Sequence, residues 1–208
     1  MSVHENLLIA DFQQCFEQMR HYDETFRVIL SFGFSMTLAV EAASGTLLQH
    51  YGFTGLVMLT AGLLLITSGL AAALLIALLA RNRVYFAFVA RYVNEIRSAY
   101  LAEKPGGVLN TAGMYTDCRF PRILNPASTQ TIQIYFLSAC SSLLLSSGVA
   151  ALLAARCLAL GHGPRVRWGT GAVVFAVAVA LEIGSLLIYW TKKGRRKRAD
   201  TAVFGDRG

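Results

Sequence analysis

The uncharged stretch "GFTGLVMLTAGLLLITSGLAAALLIALLA", residues 52–80, decides the fold class of this chain. It contains no Asp, Glu, Lys or Arg along its whole length. A helix of about 20 apolar residues crosses the hydrocarbon core of a bilayer, so this stretch is long enough to span a membrane. In a water-soluble fold, a helix that is apolar on all sides would have to be buried on all sides. We therefore predict a transmembrane helix here.

Three other stretches have the same character, each with at most one charged residue: residues 28–48, 131–155 and 168–190. The whole chain is 55% hydrophobic and only 15% charged, with a mean hydropathy of +0.50. These values predict an all-α integral membrane protein with four transmembrane helices. Residues 1–27 lack the apolar region and cleavage site of a secretory signal, so the first span is expected to be retained.

The basic residues orient the chain, because Lys and Arg are enriched in short cytoplasmic loops. Of the 19 Lys and Arg residues, only Arg156, Arg165 and Arg167 fall between spans three and four. The turn between spans one and two has none, and the others lie before span one, between spans two and three, or after span four. We expect both termini and the segment 81–130 to be cytoplasmic.

Two segments next to the spans carry apolar residues at helical intervals of three and four. Residues 1–27 are predicted to form an amphipathic helix that continues into span one. A second amphipathic helix follows span two, and a loop beginning at "KPGG", residues 104–107, completes the segment 81–130. The two helices are expected to pack against each other or against other subunits. The seams consist of Leu8, Phe12, Cys15, Met19, Tyr22, Phe26 and Ile29 in the first helix and Tyr85, Val89, Tyr92, Ile96 and Tyr100 in the second.

Glu41 and Glu182 are the charged residues inside the predicted spans. A carboxylate at membrane depth costs about 2.5 to 3.5 kcal/mol and normally faces a bundle interior or a water-filled path. At 1.5 Å per residue, Glu41 lies about 20 Å and Glu182 about 12 Å from the cytoplasmic ends of their spans, so their depths are expected to differ. We expect Glu41 to form a ring near the outer end of a pore, or to be merely tolerated at the interface. We expect Glu182 either to form a second ring or to hold span four in place through a polar partner.

The four spans are predicted to form two hairpins, residues 28–80 and 131–190. In the second hairpin, both spans repeat small residues at intervals of four. Small side chains let helix backbones approach closely, so both stripes are candidate packing seams. The serines of span three are alternatively candidates to face water in an oligomeric pore. The stripes and seams predict a homo-oligomer, with four subunits expected. The stripes are Ser138, Ser142, Ser146, Ala150 and Ala154 in span three and Ala172, Ala176, Ala180 and Gly184 in span four.

A basic run, "TKKGRRKR" at residues 191–198, opens the predicted cytoplasmic tail 191–208. Each basic residue near an anionic lipid surface contributes about 1 kcal/mol of attraction, so lipid binding is the expected role. The alternative role is binding of an anionic nucleotide or oligonucleotide signal, and no specific DNA recognition is expected. The residues are Lys192, Lys193, Arg195, Arg196, Lys197 and Arg198.

Motifs of catalysis and cofactor binding are absent from the sequence. It contains no Gly-rich phosphate loop, no H-E-x-x-H and no G-x-S-x-G. The four cysteines have no metal-ligand or disulfide spacing. We therefore expect no enzyme activity, no cofactor and no metal.

The layout of residues 3–104 resembles that of small bacterial SLATT-type membrane proteins. The resemblance lies in the amphipathic helix "CFEQMRHYDETFRVIL", the close pair of spans and the basic, tyrosine-rich helix "RNRVYFAFVARYVNEIRSAYL". It implies a multi-pass protein of the bacterial inner membrane that accompanies a nucleotide-signal synthase in anti-phage defence and forms pores. The resulting hypothesis is a regulated oligomeric ion channel or pore-forming effector gated from the cytoplasmic side. The alternative is a non-conducting membrane anchor that recruits a soluble partner.

Overall fold

The computed structural model describes residues 3–102, 116–117, 119–123, 125–161 and 168–204. These residues form four long helices: α1 (Val3–Tyr51), α2 (Gly55–Ala102), α3 (Thr129–Ala159) and α4 (Trp168–Phe204). Within these ranges the chain contains no β-strand. All four helices are long and apolar enough to cross a bilayer. The predicted all-helical class and the four candidate membrane spans are thereby confirmed.

A short turn separates α1 from α2. Gly52 has a φ of +68°, which favours glycine, and its amide donates a hydrogen bond to the Leu48 carbonyl at 3.1 Å. Thr54 then caps α2, because its Oγ1 accepts a hydrogen bond from the Val57 amide at 3.4 Å. Gly52 therefore ends α1, and Thr54 starts α2 two positions later.

The four helices are divided between two compact units. The span unit contains residues 29–79 and 129–189, and the flanking unit contains residues 1–28, 80–128 and 190–208. Helix α1 has 49 residues, or about 73 Å at 1.5 Å per residue. A bilayer core of about 30 Å accommodates less than half of that length, so α1 contributes to both units.

Many large apolar side chains of the span unit are exposed. Leu38, Leu56 and Leu74 on α1 and α2, and Val173 and Leu181 on α4, have between 63% and 75% of their surface accessible. Side chains of this kind are unfavourable in water at such density, whereas lipid tails solvate them. The surface of the span unit is therefore suited to hydrocarbon.

Inside the span unit, α2 and α3 approach each other at glycines. A Cβ on Gly148 would lie 2.6 Å from Ile66 Cγ1 and 2.9 Å from the Gly62 carbonyl oxygen. A Cβ on Gly69 would lie 2.7 Å from Leu145 Cγ. Each of these distances is shorter than a van der Waals contact, so only glycine permits this backbone separation.

In the flanking unit, α1 packs against the second half of α2. The rings of Tyr22 and Tyr85 stack at 6.1 Å, and the Tyr92 hydroxyl donates a hydrogen bond to Asp11 Oδ2 at 2.6 Å. The Asn82 side-chain amide donates to the Tyr22 carbonyl at 2.6 Å. Contact between the two segments is thus partly polar.

The predicted tyrosine seam of α2 is not the most buried face of this helix. Tyr85 and Tyr92 remain 43% exposed and Tyr100 remains 58% exposed. The buried face instead carries smaller residues, because tyrosine keeps its hydroxyl at the edge of a contact, where it finds a polar partner. The buried residues are Val84, Ala87, Ala90 and Val93, together with Asn82, Arg83 and Asn94.

Side chains of α2 also bind the backbone of the segment 119–123. Arg83 is buried, and its Nε donates to the Ile123 carbonyl at 3.2 Å. Arg91 Nε donates to the Pro121 carbonyl at 3.0 Å, and Asn94 Nδ2 donates to the Phe120 carbonyl at 2.9 Å. The carbonyls of a segment without regular structure have no partners in a helix or sheet. These three side chains donate the hydrogen bonds that such carbonyls need.

The basic run at residues 191–198 is helical, since α4 continues to Phe204. Lys and Arg are good helix formers, which accounts for the extension beyond the apolar part. Trp190, at the start of this extension, is buried, and its Nε1 donates to the Ala80 carbonyl at 3.5 Å. Lys192 and Lys193 are exposed, whereas the side chains of Arg195, Arg196, Lys197 and Arg198 lie outside the described residues.

Candidate functional site

The serines of α3 lie inside the span unit. Ser138, Ser141 and Ser142 have no accessible surface, and Ser146 is 6% exposed. Positions separated by three and four residues share one face of a helix, and here that face is the inner one. Of the two predicted roles, close helix packing fits this placement, and a water-facing stripe between subunits does not.

Glu182 on α4 reaches this serine face. Its Oε1 lies 2.7 Å from the Ser141 hydroxyl oxygen, which also lies 3.0 Å from the Gly69 carbonyl oxygen on α2. Ser141 carries one hydroxyl hydrogen and therefore donates to only one of the two oxygens. Helices α2, α3 and α4 thus meet at Ser141. A polar partner for Glu182 was one of the two alternatives that the sequence left open, and Ser141 is such a partner.

Several buried polar atoms of the span unit have no hydrogen bond. Among the residues that the structure describes, the hydroxyls of Ser44, Ser138 and Ser142 and the Oε2 atom of Glu182 are buried without a hydrogen-bond partner. Ser138 lies beside the Glu182 carboxyl group without reaching hydrogen-bond geometry. A buried polar group without a partner costs about 1 to 3 kcal/mol. Two of these atoms, Ser138 Oγ and Glu182 Oε2, belong to neighbouring side chains, and this pair within the spans is a candidate functional site.

Glu41 approaches the same level of α3 from α1. It is half-buried and lies close enough to the Cys140 thiol for the two groups to interact electrostatically. The two carboxyl groups therefore approach consecutive residues of α3, Cys140 and Ser141, from different helices. Residue counts along separate helices omit the axial offset between them, so groups at different predicted depths can still lie at the same level of α3.

The small-residue stripe of α4 lies on the outer surface of the span unit. Ala172, Ala176 and Ala180 are exposed, and a Cβ on Gly184 would have no neighbour within 4 Å. Ala180 and Glu182 are two positions apart, or about 200° around the helix, so the stripe faces away from the carboxyl group. The stripe does not take part in packing among the described residues of the protomer.

Sequence reasoning missed Ser141 and the glycines of the α2 and α3 contact. Ser141 lies outside the intervals of four that define the stripe in span three, although one helix face alternates intervals of three and four. Gly62 and Gly69 are two turns apart in a leucine-rich span, and Gly148 follows Ser141 by the same two turns in span three. Spacing of this kind is a usable signal for close helix contact.

No protein family model, no curated protein and no solved structure matches this chain. The described residues also contain no group of three or more His, Cys, Asp and Glu side chains arranged to hold a metal ion. The functional interpretation therefore rests on the contacts around Glu182.

Proposed function

We propose that the chain is a subunit of a homo-oligomeric cation channel in a bacterial cell membrane, gated from the cytoplasmic side. The observation that carries the proposal is the Glu182 carboxyl group, which lies within the span unit beside the buried hydroxyls of Ser138 and Ser141 and has its Oε2 atom buried without a hydrogen-bond partner. Intramembrane carboxyl groups in contact with other polar groups commonly mark ion pathways. A negative charge along such a path attracts cations and repels anions.

A non-conducting anchor is the alternative function, and the span unit argues against it. An anchor needs apolar helices of sufficient length but has no use for a carboxyl group or unpartnered hydroxyls in its interior. Replacing both with apolar side chains would be favourable for an anchor, because each unsatisfied polar group reduces stability. The polar cluster is thus better accounted for by a transported ion.

The resemblance of residues 3–104 to SLATT-type proteins supports a role in bacterial anti-phage defence. In this role, a nucleotide or oligonucleotide signal from a partner synthase opens the channel. The exposed Lys192 and Lys193 are available to bind anionic lipid or such a signal. Lipid is the partner that their position, two and three residues after the buried Trp190, favours.

The outward stripe of α4 supports assembly into a homo-oligomer, for which four subunits are proposed. We expect Ala176→Leu to shift the purified protein toward smaller particles by a measurable fraction, because a larger side chain separates helices at a close contact. Particle mass in detergent is the measurement. Ala77→Leu makes the same change at an exposed position of α2 and is the control. Equal particle masses for Ala176→Leu and the unaltered protein would contradict this role of the stripe.

Ion flux from liposomes tests the proposed function. The purified protein should pass K⁺ in preference to Cl⁻ in the presence of a membrane potential, anionic lipid or cyclic oligonucleotides. We expect Glu182→Gln to reduce cation flux about tenfold or more, since it removes the charge that attracts the ion. Glu95→Gln, at an exposed position of the flanking unit, should leave the flux unchanged. Absence of flux under all three conditions would favour the anchor.

A further inference from the structure

We propose that Glu182, Ser138, Ser141 and the Gly69 carbonyl form a binding site for one dehydrated monovalent cation the size of Na⁺, inside each protomer. The role of the site in conduction rests on the proposed function, whereas the binding itself rests on contacts within the span unit. The path for ions would then run between α2, α3 and α4 of one subunit and would not require a ring of carboxylates on an oligomer axis.

The donor set consists entirely of oxygen atoms. It combines a carboxylate on α4, two hydroxyls on α3 and a backbone carbonyl on α2, with Ser141 Oγ at 2.7 Å from Glu182 Oε1 and at 3.0 Å from the Gly69 carbonyl. Carboxylate, hydroxyl and carbonyl oxygens are the ligands that hard cations prefer. A backbone carbonyl oxygen has two lone pairs, so the Gly69 carbonyl can be a ligand in addition to its role within helix α2.

The unpartnered atoms point independently to a bound cation. Ser138 has no accessible surface, lies beside the Glu182 carboxyl group and has no hydrogen-bond partner, and Glu182 Oε2 is also buried without one. One hydroxyl hydrogen satisfies a single acceptor. A cation instead accepts lone pairs from all the surrounding oxygens together, so one ion satisfies Glu182, Ser138 and Ser141 simultaneously.

Charge and space select a small monovalent ion. Glu182 supplies one negative charge, and Glu41, the other carboxyl group within the predicted spans, interacts electrostatically with the Cys140 thiol. Divalent Ca²⁺ is usually held by several carboxylates, so one carboxylate matches a single positive charge. The oxygens lie close together, since Ser141 Oγ is 2.7 Å from Glu182 Oε1 and 3.0 Å from the Gly69 carbonyl oxygen, and this short spacing suits Na⁺ or Li⁺ better than the larger K⁺.

Thermal unfolding of the detergent-solubilised protein in different chloride salts tests the site. At constant ionic strength, replacing choline chloride with NaCl should raise the midpoint by about 3 °C or more, because a ligand that binds only the folded state stabilises it. LiCl should act similarly and KCl less. Glu182→Gln and Ser138→Ala should abolish the NaCl effect, with Ser138→Ala as the gentler change should Glu182→Gln fail to fold.

Ser146→Ala is the matched control, because the Ser146 hydroxyl donates to the Leu143 carbonyl of its own helix at 2.9 Å. This variant should keep the full response to NaCl. Equal midpoints in choline chloride and NaCl would overturn the site, and equal effects of NaCl and KCl would overturn its size selectivity. Cation flux without thermal stabilisation by Na⁺ would contradict the binding site but agree with the proposed channel. Thermal stabilisation by Na⁺ without cation flux would agree with the binding site but contradict the proposed channel.

Discussion

Replacing Gly148 with alanine should lower the free energy of unfolding by about 1 to 3 kcal/mol, the usual cost of overpacking a core. The added methyl group would lie 2.6 Å from Ile66 Cγ1 and 2.9 Å from the Gly62 carbonyl oxygen. A side chain can rotate away from such a contact, but the Gly62 oxygen belongs to the backbone of α2. The two helices must therefore move apart, which weakens the packing along the contact. Unfolding in mixed detergent micelles, followed by circular dichroism, is the measurement.

Gly45→Ala is the control for this prediction, since a Cβ at Gly45 would have no neighbour within 4 Å. Alanine favours the helical conformation over glycine by about 1 kcal/mol in soluble helices, so this variant should be no less stable than the unaltered protein. A Gly148→Ala variant as stable as Gly45→Ala would show that α2 and α3 are not in contact at this point.

Replacing Arg83 with alanine should release the segment 119–123 from α2. Arg83 is 5% exposed and donates through Nε to the Ile123 carbonyl. Hydrogen bonds from a charged group contribute about 1.5 to 3 kcal/mol, and loss of the guanidinium leaves a cavity as well. The population of the released segment should therefore rise about tenfold or more. Trypsin reports this change, because it cuts after Arg119 and Arg122, which lie within the segment.

Arg81→Ala removes an exposed guanidinium that lies over the Tyr85 ring, with 5.5 Å between the guanidinium carbon and the ring centroid. Because exposed cation–π contacts contribute only about 0.5 to 1 kcal/mol, this control should leave the tryptic cleavage rates after Arg119 and Arg122 within a few-fold of the unaltered protein. Cleavage that is equally slow in Arg83→Ala and Arg81→Ala would mean that Arg91 and Asn94 hold the segment without Arg83.

The fold class was predictable because a bilayer imposes local requirements. A span must be long, apolar and helical whatever its neighbours are, so the stretch 52–80 identifies itself without knowledge of the rest of the chain. The turn at Gly52 and Thr54 is local for the same reason, since one glycine and one capping residue are sufficient for it. The predicted tyrosine seam of α2 was less accurate, because its residues form a partly exposed edge.

The candidate site was predictable only in part. Glu182 was identified because a carboxyl group inside a span is costly and needs a reason. Its partner Ser141 and the Gly69 carbonyl were not identified, since a backbone carbonyl leaves no mark on the sequence and Ser141 fell outside the intervals of four. The axial offset between helices that brings Glu41 and Glu182 close to consecutive residues of α3 also could not be predicted from the sequence.

By itself, the sequence determined that four apolar helices exist, approximately where they begin and end, and which acidic side chains lie within them. Only the tertiary structure decided that the serine stripe of α3 faces inward, that the alanine stripe of α4 faces outward, and that Gly62 and Gly148 meet. The first set of properties depends on how each segment interacts with its solvent. The second depends on the rotation and axial offset of each helix against its neighbours, which arise from packing between residues far apart in the chain.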